Sequence, residues 1–294
     1  MKTFLLGVGA QKSATTWLHE YTQAHENCDL GLKKEYHIFD ALFKPNKGNH
    51  VFMAHSLKRV QNLTEQKIKK GAGKTPTLDA QLDKALKIAS FYTDMENYAQ
   101  YFDQLYDANI KTKVVGDITP SYSLLDAEDF TFVKTLLERR GFEVKVIFLM
   151  RDPVERAYSA ARMSIRDREA AGKVVEKTAE EIMIEQIKSP GHFGRGRYDL
   201  TIRALEQVFN AENIHYGFYE TLFNDAEVRK ITNILGIDFI SPDFDMKVNA
   251  SPRTIEASEE SIIQVRQRFE EVYCFCKEKF GEEFIERIWK GAAI

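Results

Sequence analysis

Cysteine is scarce in this chain: Cys28, Cys274 and Cys276 are all it has in 294 residues. Three thiols do not make the disulfide framework of a small secreted protein. Cys274 and Cys276 are two apart in a helical pattern, so they point in different directions. No Cys/His cluster has the spacing of zinc ligands, and no metal is expected. Long apolar runs are missing as well. Phe4 to Val8 is too short for a membrane span or a convincing signal-peptide core. A cytoplasmic protein with no membrane partner is expected. Charge of one sign is not in excess either, because the formal net charge is −3. That gives no reason to expect nucleic-acid binding. Internal repeats and low-complexity tails are absent.

What is present suits a catalytic domain. Hydrophobic content of 44% and charged content of 29% are those of an ordinary globule, and this length can bury one large core. A single domain over residues 1–294 is expected. Both ends read as βα units, with a helical insert at about 45–108. Within it, Ser56 to Lys70, Leu78 to Ala89 and Glu96 to Asp107 have helical periodicity. The aromatic residues Phe91, Tyr92, Tyr98, Tyr101 and Phe102 read as helix packing. Glu256 to Lys279 reads as one long amphipathic helix.

The most informative stretch is Thr3 to Leu18. An apolar run meets Gly7 and Gly9, then Gln11, Lys12 and the hydroxyls of Ser13, Thr15 and Thr16, then a helix-like run from Trp17. Strand, anion-cradling loop and helix follow in order. Helix-start N–H groups, one ammonium and several hydroxyls converge, which suits a phosphate-like group. The loop is not a Walker A motif, because Gln11 and Leu6 stand where that pattern needs glycine. A second Gly-Lys-Thr, at Gly73 to Thr75, follows a polar run instead of a buried strand, and Pro76 interrupts the helix such a loop requires. It reads as a mobile basic loop.

A second strand, Val144 to Met150, ends in Arg151-Asp152-Pro153. Asp152 is a good N-cap and Pro153 a good first helical residue. Arg151 at a strand's carboxyl end can grip a phosphate with a two-pronged fork.

Gln11-Lys12-Ser13-Ala14-Thr15-Thr16-Trp17-Leu18 resembles the 5′-phosphosulfate loop of sulfotransferases that use 3′-phosphoadenosine 5′-phosphosulfate (PAPS). The usual form is Lys-x-Gly-Thr-Thr-x-Leu, and Ala14 replaces its glycine. A methyl group is tolerable there if φ stays negative. Arg151-Asp152-Pro153-x-x-Arg156-x-x-Ser159 resembles the same family's 3′-phosphate motif, with Arg151 and Ser159 as the matching contacts. Lys33 to Asp40 is similar to the Lys-Glu-x-His-Phe-Phe segment of the carbohydrate branch, best known from heparan sulfate sulfotransferases. There the Glu is the general base for the acceptor hydroxyl and the His lies beside it, which carries over to Glu35 and His37. Gly116-Asp117-Ile118-Thr119-Pro120-Ser121-Tyr122 matches a Gly-Glu-x-Thr-Pro-x-Tyr segment and marks Asp117 as an acceptor contact. Ile118 stands where glycosaminoglycan enzymes carry Lys, which counts against that acceptor. Gly194 to Tyr198, a helix and a strand ending at Glu220 match more loosely. Arg195 and Arg197 read equally well as cofactor or acceptor contacts and as surface charges. Arg253 falls where relatives close over the 3′-phosphate.

The resemblance implies an α/β, P-loop-like three-layer fold: a central, mostly parallel sheet flanked by helices. It also implies sulfuryl transfer from PAPS to a small-molecule or saccharide hydroxyl, leaving adenosine 3′,5′-bisphosphate and needing no metal. Lys12, Glu35 and His37 would be catalytic. Gln11 through Trp17, Arg151, Ser159 and Arg253 would hold the nucleotide. Glu35, His37 and Asp117 would meet the acceptor, with either Glu35 or His37 as the base. Two rivals remain: a P-loop kinase of a small alcohol, which would need Mg²⁺ and an acidic ligand such as Asp117, and a nucleotide-binding module without chemistry.

Overall fold

The computed structural model describes residues 2–70, 76–244 and 257–292. β1 (Lys2–Gly9) runs into α1 (Thr15–Ala24) and a two-residue strand, β2 (Cys28–Asp29). A short helix, α2 (Ile38–Phe43), precedes three longer ones: α3 (His50–Lys70), α4 (Pro76–Thr93) and α5 (Met95–Asp107). The chain then returns to the sheet as β3 (Val114–Ile118), followed by α6 (Ala127–Glu138), β4 (Phe142–Met150) and α7 (Pro153–Ala170). Helices α8 (Ala179–Gln186), α9 (Pro190–Gly194) and α10 (Tyr198–Val208) lead to β5 (Ile214–Phe218). Four helices complete the described fold: α11 (Asp225–Leu235), α12 (Glu259–Arg268), α13 (Glu270–Phe280) and α14 (Glu282–Ile288).

The sheet has five strands in the order β2-β3-β1-β4-β5, and every pairing is parallel. Its central strands are apolar on both faces because helices cover both. Phe4, Leu6 and Val8 of β1 point into one core, with Tyr98, Phe102 and Phe142. Leu5, between them, points into the other, with Trp17, Leu18, Val228 and Ile231. This is a three-layer α/β sandwich. Gly7 allows the close β1–β3 approach, since a Cβ there would sit 2.8 Å from the Ile118 side chain. The chain crosses from one side of β1 to the other between β3 and β4, so the loop after β1 lies at the switch point where such sheets bind ligands.

Two expectations change here. The pattern from Glu256 to Lys279 is two helices, because Phe269 (φ −108°, ψ 17°) breaks the run between α12 and α13. Its ring is buried against Phe193 at 5.2 Å between centroids, so the apolar periodicity continues across the break. Pro76 begins α4 instead of interrupting a helix. Gly71 to Thr75 lie outside the described residues, and helix α3 precedes them, not a strand.

Candidate active site

The loop after β1 is tightly folded. Gly9 has φ 140°, and a Cβ there would lie 2.9 Å from the Pro120 carbonyl. Lys12 and Ala14 both have left-handed backbone, at φ 71° and 67°. The negative φ that would make a methyl group easy at Ala14 is therefore not what the fold uses. The alanine occupies the conformation that glycine takes freely, at a cost of roughly 1–2 kcal/mol. No side chain caps α1, so its first N–H groups face the loop. Gln11 Oε1 and Ser13 Oγ are buried without a hydrogen-bond partner. Thr15 is buried and Thr16 half-buried on the first turn. Trp17 is a correction for its side chain alone: the indole stacks on Tyr21 at 5.4 Å, with Phe223 edge-on at 5.7 Å, so it packs the core beneath the loop, while its N–H stays on the uncapped first turn.

The Lys12 ammonium lies 3.7 Å from Met163 Sδ on α7. Burial, then the positive charges of Arg166, Arg151 and Lys34, push its pKa down to about 8. Four cations thus share one neighbourhood. Ser159 lies one turn before Met163 on α7 and is buried.

Arg151 ends β4 beside the loop, its Nη1 donating to the Lys12 carbonyl at 3.4 Å. Its Nη2 donates to Glu155 at 3.0 Å, its plane lies 4.4 Å from the Tyr219 ring centroid, and its Nε is buried without a partner. The turn behind it is clamped. Asp152 accepts from the Val154 N–H at 2.9 Å, capping α7 with Pro153 at the first position. The same carboxylate accepts from Tyr273 Oη at 2.7 Å and the Gly291 N–H at 2.7 Å. The Asp152 N–H donates to Glu220 at 2.9 Å, and Trp289 Nε1 donates to the other Glu220 oxygen at 3.1 Å. Burial pushes Glu220 up to about 7 despite these bonds.

On the acceptor side Glu35 and His37 come together as expected. His37 Nε2 is 3.2 Å from Glu35 Oε2, and His37 Nδ1 is 2.9 Å from Asp40 Oδ2. Lys34 donates to the other Glu35 oxygen at 3.0 Å. Burial alone would raise the Glu35 carboxyl, but His37 and Lys34 outweigh it and hold it down at about 2. Burial opposes charge on His37, but Asp40 and Glu35 overcome it and raise its pKa. Phe52, on the first turn of α3, stacks on the imidazole with centroids 3.5 Å apart and planes 5° from parallel. Asp40 and Phe52 had no signal beyond the quoted motif and the helical insert. From Phe52 the same stripe of α3 continues through His55, Arg59, Asn62 and Gln66 at three- and four-residue steps. With Lys58, Leu63 and Gln81 these last four line an open groove of about 450 Å³.

Asp117 is a second correction. It is expected to touch the acceptor, yet it is 1% exposed and both oxygens are used internally. Thr119 donates to it at 2.7 Å, Tyr122 at 2.7 Å and Tyr98 at 3.1 Å. Thr119 Oγ1 in turn accepts from the Tyr36 N–H at 3.0 Å, and Tyr122 Oη from the Ile38 N–H at 3.3 Å. Asp117 thus fixes the backbone on either side of His37, which itself has φ 57°. Burial pushes the carboxyl up to about 6, against its three hydroxyl donors. Arg197 is half-buried and ion-paired, bound to buried Asp199 and exposed Glu271 at 2.7 Å each. Arg195 is buried and hydrogen-bonds Ser121 and Asn49. Arg253 lies outside the described residues. Among those described, no group of three or more His, Cys, Asp or Glu could hold a metal ion, and no helix is long and apolar enough to cross a membrane.

Comparison with known proteins agrees with this geometry. The family profile described as "Sulfotransferase family" matches residues 5–241. A sulfotransferase from Alicyclobacillus acidocaldarius superposes with a TM-score of 0.57 at 18% identity, covering 95% of each chain. At that identity the likeness speaks to the fold. The sulfotransferase domain of the Synechococcus PCC 7002 olefin synthase aligns with a TM-score of 0.48 at 18% identity, over 92% of this chain and 94% of that one. No curated protein matches the sequence significantly.

Proposed function

The chain belongs to the sulfotransferase family, and from that premise we propose that it moves a sulfuryl group from PAPS to a hydroxyl of a carbohydrate-like acceptor. One observation carries the donor side: Arg151 stands beside the loop after β1, its Nη1 donating to the Lys12 carbonyl at 3.4 Å. Around them Ser13 Oγ and Arg151 Nε are buried without partners, and the N-terminus of α1 has no side-chain cap. That donor set fits a multiply charged adenine nucleotide. PAPS, when bound, supplies a sulfuryl group on a phosphate leaving group.

The remaining work falls to the chain's own residues. Lys12 and the Ser13–Thr16 amides hold the 5′ end and stabilise charge growing on the bridging oxygen. Arg151 and Ser159 hold the 3′-phosphate, and the family resemblance gives Arg253 the same role. Glu35 takes the proton from the acceptor hydroxyl. At about 2, its pKa keeps it ionised at every working pH, but makes it a weak base for a free alcohol. Its proton is therefore transferred late, once the attacking oxygen has turned acidic in a loose transition state. His37 is the poorer base, since carboxylates occupy both ring nitrogens. It orients Glu35 instead. Lys34 links the two halves, because it lowers Lys12 electrostatically and pairs with Glu35. The polar groove that continues from Phe52 along α3 favours a hydroxyl-rich acceptor. A cytoplasmic, single-domain enzyme that needs no metal goes with this assignment.

The test is transfer from labelled PAPS to saccharide, lipid and phenol panels in EDTA, followed by mass spectrometry. Sulfated saccharide is the expected product. Phosphoryl transfer from ATP that disappears with EDTA would instead identify a kinase. Thermal stabilisation by adenosine 3′,5′-bisphosphate with no turnover on any panel would leave a binding module.

A further inference from the structure

Two arginines are buried in one neighbourhood without a salt bridge. Arg156 on α7 is 2% exposed and Arg195, just after α9, is 9% exposed. Among the described residues neither guanidinium has an ion-pair partner. Arg156 makes one hydrogen bond, from Nη2 to the His192 carbonyl at 3.4 Å, and its Nε and Nη1 have none. Arg195 is held by neutral groups, donating to Ser121 Oγ at 3.2 Å and Asn49 Oδ1 at 2.8 Å. Asn49 Nδ2 and His192 Nδ1 are also buried without partners. Burial, then Arg195 and Arg156, push His192 down to about 4, so its ring stays neutral.

The nearby acids are largely committed. Asp40 and Glu35 face Arg195 electrostatically, but Asp40 Oδ2 accepts from His37, and Glu35 from His37 and Lys34, which leaves only Asp40 Oδ1 buried without a partner. Asp199 is taken by Arg197. The nearby phenols turn elsewhere, Tyr198 to the Arg151 carbonyl and Tyr273 to Asp152. Positive charge and N–H donors are both in excess, in a place closed to solvent.

We propose that Arg156, Arg195, Asn49 and His192 enclose a compact monovalent anion of halide size, behind the Asp40–His37–Glu35 row. Charge sets the sign of the ligand, and the unpaired N–H groups supply its contacts. Enclosure sets its size. Asn49 is fully buried, the Phe269 ring centroid lies 5.7 Å from the Arg156 guanidinium carbon, and a Cβ on Gly196 would come within 2.8 Å of Arg156 Nη2. Such close burial favours a small anion over a phosphate or an acceptor group attached to a larger molecule. The site differs from the nucleotide pocket, whose anion grips are Lys12 and Arg151, and it stands whether or not sulfuryl transfer is the reaction.

Bromide is the probe. Crystals of the full chain grown in sodium bromide should show an anomalous peak touching both guanidinium groups. In solution, replacing gluconate by bromide at constant ionic strength should raise Tm by a few degrees and saturate. Arg156→Met should remove that dependence, whereas Lys111→Met, at the exposed ion pair with Glu26, should keep it. A water in the anomalous map, or bromide on surface cations alone, overturns the proposal, as does a Tm indifferent to halide. If Arg156→Met fails to fold, the wild-type map decides by itself.

Discussion

The proposed donor half and acceptor half of the site are built in different ways. Lys12 and Arg151 stand at the carboxyl ends of β1 and β4, adjacent strands of the sheet. The backbone itself makes the donor cradle, and the Asp152 clamp stiffens it. Glu35 and His37 sit on an irregular segment between β2 and α2, held from below by hydroxyls and from the side by Phe52. Of the α3 residues only Leu63 is buried, so the wall beside the acceptor is loosely anchored. A family can thus keep its nucleotide pocket while its acceptor wall varies.

Substitutions on each side test that contrast. Lys12→Ala should cost the most, lowering kcat by several powers of ten with the circular dichroism spectrum unchanged. Near-normal turnover would remove the lysine from the chemistry. Glu35→Gln should cost roughly 10²–10⁴-fold in kcat and leave the affinity for adenosine 3′,5′-bisphosphate intact. Equal losses in both would mean that the halves are not separable. Phe52→Leu should lower kcat by about tenfold and move the alkaline limb of the pH–rate profile, where His37 loses its proton, to lower pH, with Tyr at that position restoring both. A uniform fall without a pH change would reduce Phe52 to packing.

The two smallest effects concern the loop alone. Lys12 is charged at pH 7 and loses its proton as pH rises through about 8. Affinity for adenosine 3′,5′-bisphosphate should therefore weaken above that point, as calorimetry would measure. Because the fold disfavours the charged lysine, its contribution to stability runs the other way, with the penalty relieved between about 8 and its ordinary 10.5. Ala14→Gly should raise stability by about 0.5–1 kcal/mol, the left-handed strain relieved less the entropy glycine adds to the unfolded chain. Destabilisation on denaturant melting would show that the methyl packs usefully.

The same contrast explains what could be read from the residues in order. The donor half was legible because each motif is contiguous: strand, turn and helix lie within sixteen residues at Thr3 to Leu18, and again around Arg151. Lys12 and Arg151 are 139 positions apart, yet parallel pairing brings them together without any signal beyond two apolar runs. The acceptor half depends on contacts that cross from one element to another. Phe52 lies in the insert ahead of the helix expected from Ser56, and nothing in its neighbours announces His37. Asp117 looks like a free acid in a polar turn, and only the fold reveals the three hydroxyls around it. Ala14 misleads for a different reason, since its residue type argues against the backbone it adopts.

The Asp152 clamp has a consequence for how the protein is made. Its carboxylate waits for Tyr273 and Gly291, 121 and 139 residues further along. A ribosome delivers the Arg151 turn well before either partner exists. Until they dock, a nascent chain has the arginine but not the rigid elbow that aims it. Nucleotide capture is thereby delayed until the later helices have come home.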